Sequence, residues 1–190
     1  DSVWVLLPDL GVFRYQGKKV NYYSVLSTPR SAKEIVPSGL CVDENGEVWV
    51  VTTGQGMYRF NKKQNRFHKV VAADGRTLDG LAFSSICADT DGSLVLASIN
   101  GVLYRYEPRH NQYSKLNFSG EGHTHLRCLL CFENEIWVGT QQGLYVINKQ
   151  NGAETLLQKN MLNNLSLSDD IIYCMYKARN GDAWVGTFYG

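Results

Sequence analysis

The sequence predicts an all-β protein made of β-propeller blades, each with four antiparallel strands, and it carries about four blades' worth of them, a partial propeller. First, one phrase recurs along the 190 residues: an apolar-aromatic run, a small or hydroxyl residue, a short spacer, a glycine and a second apolar-aromatic run. Second, its repeats are 42 to 47 residues apart, which fits propeller blades and exceeds the period of tetratricopeptide or ankyrin repeats. Third, no long stretch has helical periodicity, while aromatic residues make up 12% and glycines number 18, as in chains of short strands and tight turns.

One position of the repeat fixes the register, and all four tryptophans of the chain occupy it. These anchors are Trp4, Trp49, Val95, Trp137 and Trp184. Burial of one tryptophan of about 200 Å² contributes roughly 5 kcal/mol, so we expect the anchors to pack between blades rather than to bind a ligand. The predicted units are residues 1–35 (partial), 36–81, 82–123, 124–168 and 169–190 (partial).

Each unit predicts strands A to D in chain order. Strand A ends at a tight turn, which reads Asp43-Glu44-Asn45-Gly46 in one unit and Asp89-Thr90-Asp91-Gly92 in the next. Strand B carries the anchor and is apolar on both faces, which indicates a strand covered on both sides. Strand C follows the glycine. Strand D follows a polar turn and is the more polar strand, with Lys, Arg and His residues that suit an outer edge.

The overall charge excludes some classes of function. Lys and Arg total 19 against 18 Asp and Glu, for a formal net charge of +1, which argues against a nucleic-acid protein or a polybasic membrane binder. No run approaches the roughly 18 apolar residues of a membrane helix, and the first residues do not read as a signal peptide. Because the repeat starts and stops inside a unit, we expect the chain to be a piece of a longer propeller that folds poorly alone or associates through open edges.

These phrases resemble the two-component regulator propeller repeat. Residues 136–145, Ile-Trp-Val-Gly-Thr-Gln-Gln-Gly-Leu-Tyr, nearly reproduce that family's Leu-Trp-Ile-Gly-Thr-x-x-Gly-Leu motif, and residues 183–190 match it as well. The Asp-x-x-Gly turns before the tryptophan strand also match. The departures are Val95 in place of tryptophan, Val51-Thr52 and Ala97-Ser98 in place of Gly-Thr, and an irregular first unit.

The resemblance implies a sensor. Such repeats form the extracytoplasmic, periplasmic input of inner-membrane histidine kinases in Bacteroidetes-type bacteria, and many respond to oligosaccharides. It therefore implies a non-catalytic segment with no cofactor, whose partners are an oligosaccharide or similar small ligand, the remainder of the ectodomain, and a second receptor chain in a homodimer. Two alternatives stay open: a propeller enzyme of the lyase or hydrolase type, and a protein-interaction scaffold.

Candidate ligand-binding residues lie on the loops that propeller architecture places on one face. The turns between strands B and C offer amides and an aromatic ring, which suit neutral sugars through paired hydrogen bonds and stacking. A connection between strands D and A offers a cation for an acidic sugar. The candidates are Gln55, Arg76, Asn100, His123, His125, Gln141, Gln142 and Tyr189.

Histidines and cysteines are the remaining candidates for chemistry. His123 and His125 share a face of an extended segment and would serve the enzyme alternative, but a third metal ligand is not evident, so no metal site and no catalytic residue is predicted. Cys128 and Cys131 sit three apart on a predicted strand and should point to opposite faces. We expect all five cysteines to be small buried residues of the inner strands rather than a disulfide framework.

Overall fold

The computed structural model describes residues 2–7, 10–23, 36–122 and 124–189, and within them every regular element is a β-strand, as predicted. No helix in this part of the chain is long and apolar enough to cross a membrane. The strands are β1 (Val3–Leu7), β2 (Gly11–Gln16), β3 (Lys19–Tyr23), β4 (Pro37–Val42), β5 (Val48–Gln55), β6 (Met57–Asn61), β7 (Arg66–Lys69), β8 (Asp79–Ala88), β9 (Leu94–Ser98), β10 (Leu103–Glu107), β11 (Gln112–Leu116), β12 (Leu126–Cys131), β13 (Glu135–Thr140), β14 (Leu144–Asn148), β15 (Glu154–Leu157), β16 (Ile172–Lys177) and β17 (Ala183–Thr187).

Consecutive strands pair in antiparallel fashion and form successive blades. Blade 1 is β1–β3, blade 2 is β4–β7, blade 3 is β8–β11, blade 4 is β12–β15 and blade 5 is β16–β17. Blades 2, 3 and 4 each have the four predicted strands A to D. Among the described residues, blade 1 contains strands B to D and blade 5 contains strands A and B.

Blades 2 and 3 are also joined by strand pairing. The end of β5 pairs with the start of β8, with Thr53 opposite Ala82 and Gln55 opposite Asp79. Strand β8 therefore begins at Asp79, ahead of Ala82, the predicted start of the third unit. The two blades form one continuous sheet at this end.

The predicted turns between strands A and B are present. The amide of Gly46 donates to the carbonyl of Asp43 at 2.9 Å, that of Gly92 to Asp89 at 3.1 Å, and that of Gly181 to Ala178 at 3.0 Å. All three glycines have positive φ (68°, 83° and 94°), a conformation that costs glycine little. Blade 4 has a shorter turn, in which the amide of Phe132 donates to the carbonyl of Glu135 at 2.9 Å.

The A strands are the innermost, because they pack against one another from blade to blade, β4 with β8, β8 with β12, and β12 with β16. The B strands of blades 2 and 3 are buried on both faces, as expected: residues 48–52 and all of β9 are buried. Trp49 is 1% exposed and meets the ring of Tyr106 in blade 3 edge-on at 5.7 Å. Trp4 likewise meets Phe60 in blade 2 at 4.9 Å. These anchors pack against the following blade, as predicted.

Trp184 departs from the prediction that the anchors pack between blades, since 66% of its surface is exposed. Its own strand is formed and pairs with β16, so its exposure is not local unfolding. The reason is that Trp4 and Trp49 are covered by the next blade, and within the described part of the chain no blade follows β17. Trp137 is half-buried and packs on Phe132 of its own blade at 4.9 Å.

Candidate ligand-binding site

The turns between strands B and C lie beside the connections that lead into strand A. The amide of Thr53 donates to the carbonyl of Val36 at 3.0 Å, and that of Ile99 to the carbonyl of Ala82 at 2.8 Å. In blade 5 the amide of Phe188 donates to the carbonyl of Ile171 at 3.0 Å. Both kinds of loop therefore share one end of the blades, which we call the loop end, as propeller architecture predicted.

Hydroxyl residues at the ends of the B strands shape these turns. The hydroxyl of Thr52 donates to the carbonyl of Gly56 at 2.9 Å and accepts from the amide of Gln55 at 3.0 Å. Thr140 repeats this arrangement, donating to the carbonyl of Gly143 at 2.8 Å and accepting from the amide of Gln142 at 3.0 Å. Both threonines are fully buried. The threonine of the repeated motif thus closes a turn and presents the next residues to solvent.

Five of the candidate residues from the sequence lie on these turns at the loop end. Gln55 is half-buried, whereas Asn100, Gln141 and Gln142 are exposed. The carbonyl of Gln142 accepts from the side-chain amide of Gln158 at 2.8 Å, so this turn is fastened to the outgoing chain. Tyr189 is 76% exposed. Their contact with a ligand stays a prediction.

The other three candidates have different environments. Arg76 lies between β7 and β8 and pairs with Asp74, with Nε 2.6 Å from Oδ2. Hydrogen bonds from the backbone amide and guanidinium of Arg76 hold the pKa of Asp74 below its usual value, so this arginine already has a counter-ion. His125 is exposed, and His123 lies outside the described residues. Within the residues described, no group of three or more His, Cys, Asp or Glu is arranged to hold a metal ion.

Each described A strand contains an irregularity near the loop end. The pairing of A with B shifts by one residue between Pro37 and Gly39 and again at the same place in the next three blades. A β-bulge of this kind leaves one residue unpaired and turns its side chain away from the regular alternation. The residues at the bulges are Ser38, Ser84, Arg127 and Tyr173.

The bulge residues differ in what they offer a ligand. The hydroxyls of Ser38 and Ser84 donate back to carbonyls of their own blades, Val51 at 3.3 Å and Ala97 at 3.2 Å. In blades 4 and 5 the small residue is replaced by a large one. The innermost strands of these two blades therefore carry an arginine and a tyrosine where the other two carry serines.

Arg127 and Tyr173 meet across the boundary between blades 4 and 5. The guanidinium carbon of Arg127 lies 4.2 Å from the centre of the Tyr173 ring, a cation–π contact. Tyr173 stacks on Phe188 with ring centres 5.7 Å apart, and Phe188 meets Tyr189 edge-on at 4.6 Å. The three rings are 49%, 50% and 76% exposed. We call these four side chains the aromatic platform.

The candidates from the sequence include Tyr189 but neither Tyr173 nor Arg127. Both missed residues precede a cysteine of strand A, in Leu126-Arg127-Cys128 and Ile172-Tyr173-Cys174. Aligning those two triplets would have placed Arg127 and Tyr173 at equivalent positions of their strands. What the sequence could not show is the bulge, because regular alternation along the strand assigns the wrong direction to its residue.

The opposite end of the blades also has depressions. One of about 230 Å³ is lined by Asp91, Arg105 and His110, among others, and one of about 430 Å³ by Glu47, Arg59 and neighbouring residues. Several of their charges are paired with each other: the guanidinium of Arg105 bonds to Asp91, and Glu47 accepts from Arg59 at 3.2 Å. The aromatic platform lies at the loop end instead.

Comparison with known proteins supports the fold and the resemblance. Residues 166–189 match the model of the two component regulator propeller family. This segment contains blade 5 and three residues of the aromatic platform, and the match confirms the resemblance there. No curated protein matches the chain.

Among solved structures, the chain is similar to the extracellular domain of the putative hybrid two component system BT4673 from B. thetaiotaomicron, with 20% identity and a TM-score of 0.79. The alignment covers 100% of this chain and 25% of that one, so the chain spans about a quarter of that domain. A second such domain, from BT3049 of the same organism, has 15% identity and a TM-score of 0.65, over 100% of this chain and 31% of that one.

The chain also resembles virginiamycin B lyase from Staphylococcus aureus, with 17% identity and a TM-score of 0.73, over 100% of this chain and 60% of that one. At these identities the likenesses establish the fold alone. The chain therefore has the architecture of β-propeller blades, and its last blade carries the two component regulator propeller repeat.

Proposed function

We propose that the chain is a non-catalytic, ligand-sensing segment of the extracytoplasmic propeller of a two-component sensor, and that its ligand is an oligosaccharide. Two findings support the sensor role. The family match over residues 166–189 names two component regulators, and two similar solved structures are extracellular domains of hybrid two component systems. The kinase, the membrane anchor and a homodimer of the intact receptor belong to the same proposal.

The aromatic platform is the observation that carries the choice of ligand. Exposed aromatic faces bind the apolar faces of sugar rings, and nearby amides orient the hydroxyl groups. Tyr189 offers the most exposed ring, at 76%, while Arg127 stacks on Tyr173 with its guanidinium centred 4.2 Å from the ring. An arginine at this position also suits a sugar that carries a carboxylate.

The position of the platform suggests a mechanism for signalling. Arg127 belongs to β12 in blade 4, whereas Tyr173 belongs to β16 in blade 5. A ligand that contacts both residues binds more tightly to one relative placement of the two blades than to another. Such differential affinity shifts the population of receptor arrangements, and the shift is the signal.

Titration calorimetry with a panel of neutral and acidic oligosaccharides tests the proposal. We expect binding, and we expect Tyr173→Ala and Tyr189→Ala each to weaken it at least about tenfold, as truncation of an aromatic contact does. Tyr22→Ala is the matched control, because Tyr22 is 57% exposed but lies in blade 1. Unchanged affinity in the platform variants would exclude the platform. A failure of every oligosaccharide, together with a stable complex with another protein, would favour the scaffold alternative.

A propeller lyase is the second candidate, and the likeness to virginiamycin B lyase favours it. His125 is exposed at the loop end, where it is accessible to a substrate. Replacement of His123 and His125 by alanine should abolish any lyase activity of the chain. Activity that survives both replacements would remove these histidines as catalysts.

A further inference from the structure

Two cysteines from different blades face each other inside the propeller. Cys87 lies on β8 and pairs with Val95, the anchor of blade 3, so its side chain shares the anchor's face and points toward blade 4. Cys131 lies on β12 and pairs with Ile136, next to the anchor of blade 4, so it points the opposite way, toward blade 3. Both thiols belong to one packed cluster between these blades, whose strands β8 and β12 lie against each other.

We infer that Cys87 and Cys131 are the site of a disulfide bond that joins the innermost strands of blades 3 and 4. Cysteines that face each other from two packed strands need little backbone movement to approach bonding distance. Their oxidation would convert a non-covalent boundary between two blades into a covalent one. The oxidising compartment that would form the bond rests on the proposed extracytoplasmic location, whereas the pairing itself does not.

The other cysteines are in less suitable positions. Cys41 pairs with Trp49 and occupies in blade 2 the place that Cys87 occupies in blade 3. Equivalent residues of successive blades point the same way, so Cys41 and Cys87 do not face each other. The same holds for Cys128 and Cys174, which pair with Gly139 and Gly186. Cys131 is buried and Cys174 is exposed, while the other three cysteines are partly buried. The expectation that all five are buried is therefore wrong.

The surroundings favour Cys87 as the sulfur that reacts first. Hydrogen bonds from the thiol and the backbone amide of Cys131 lower the pKa of Cys87 against the effect of burial, and Lys149 acts in the same direction, opposed by Asp89. The hydrogen bond to Cys87 and burial raise the pKa of Cys131. Cys87 is also less buried than Cys131.

The reaction is a thiol–disulfide exchange with a disulfide oxidant, such as oxidised glutathione or an oxidoreductase of the same chemical class. The thiolate of Cys87 attacks one sulfur of the oxidant and displaces the other as a thiolate, which leaves a mixed disulfide. Cys131 then gives up its proton, and its sulfur attacks the sulfur of Cys87 and displaces the second thiolate. Two cysteine thiols and one disulfide yield one protein disulfide and two small thiols.

Peptide mapping under non-reducing conditions tests the inference. The folded chain is incubated with oxidised glutathione, its remaining thiols are alkylated, and the digest is analysed by mass spectrometry. We expect one cross-linked pair of peptides that contains Cys87 and Cys131, a loss of two hydrogens from the protein, and a Tm higher by about 10 °C that dithiothreitol reverses.

Variants sharpen the test. Cys131→Ala should leave Cys87 as a stable mixed disulfide with glutathione, whereas Cys128→Ala should still form the cross-link. A bond between Cys41 and Cys87, a wild-type chain that keeps glutathione on Cys87, or thiols that oxidise only after denaturation would each overturn the assignment. The map of the wild-type chain decides this even if a variant fails to fold, and it needs no sugar, so its outcome is independent of the ligand proposal.

Discussion

Lys149 of blade 4 pairs through its ammonium with the buried carboxylate of Asp89 of blade 3, the blade in which a valine replaces the tryptophan of the repeat. In blade 2 the equivalent carboxylate, Asp43, accepts a hydrogen bond from the indole of Trp49 at 2.9 Å. Blade 3 has Val95 at that position, which donates nothing. The side chain of Asp89 is fully buried, and its Oδ1 also accepts from the backbone amide of Thr90 at 2.7 Å, whereas its Oδ2 has no hydrogen-bond partner among the described residues. The cation from the next blade therefore balances the buried charge.

Replacement of Lys149 should therefore destabilise the fold strongly. Lys149→Met leaves the carboxylate of Asp89 buried without its cation, and we expect the free energy of unfolding to fall by about 3 kcal/mol in urea titrations. Lys115→Met is the matched control, because Lys115 pairs with Glu121 at the surface, 2.5 Å away, and such a pair contributes at most about 1 kcal/mol. The double variant Asp89→Asn, Lys149→Met should recover part of the loss. Equal effects of the two lysine variants would contradict this account.

A second prediction concerns the glycine of the Trp-Val-Gly-Thr motif. A Cβ at Gly139 would lie 2.5 Å from the sulfur of Cys128, its partner on strand A, and 2.8 Å from Ile172 in blade 5. In blade 2 the small and the large residue exchange places, because the glycine, Gly39, is on strand A and the larger residue, Val51, is on strand B. We expect Gly139→Val to cost about 1–3 kcal/mol of unfolding free energy through overpacking.

The residue pair found in blade 2 provides the control for this prediction. Combining Gly139→Val with Cys128→Gly reproduces the pair found in blade 2 and should restore part of the loss, as measured in a double-mutant cycle. Gly186→Val should cost less, because its neighbour Cys174 is exposed and can rotate away. If the double variant is no more stable than Gly139→Val alone, crowding by Cys128 is not the cause.

A third prediction concerns stability in acid. Hydrogen bonds from Lys62 and then Arg59 lower the pKa of Glu47, although burial opposes them. A carboxyl whose folded-state pKa is lowered adds stability above its unfolded pKa of about 4.3, and the contribution is lost as the pH falls through the folded-state value. Glu47→Gln should therefore flatten the fall in stability below about pH 5.

Thermal unfolding of wild type and Glu47→Gln across this pH range measures the effect. The difference should shrink at high salt, because Arg59 and Lys62 are both more than half exposed, at 51% and 57%. Parallel pH profiles for the two proteins would show that these pairs contribute nothing.

The blades could be predicted from the sequence because each repeat carries its own signals. The tryptophan register, the Asp-x-x-Gly turns and the apolar B strands are local features, and each recurs at the same place in the structure. Two features of the site could not be found that way. The direction of Tyr173 depends on a bulge, and the partner of Asp89 lies 60 residues away on another blade. Both depend on how one blade sits beside the next, which the pattern of a single repeat does not encode.

The last prediction follows from the exposed face of blade 5. Trp184 and Tyr176 are paired across β16 and β17, so they share a face, and they are 66% and 63% exposed. On the equivalent face of blade 2, Trp49 is 1% exposed because blade 3 covers it. An apolar face of this kind is a site of association, and we expect the chain to self-associate with rising concentration in sedimentation velocity. Trp184→Glu combined with Tyr176→Lys should shift the distribution toward the monomer, whereas Tyr22→Glu, which changes an equally exposed tyrosine of blade 1, should have less effect. A wild-type chain that stays a monodisperse monomer with a cooperative melt would contradict this expectation.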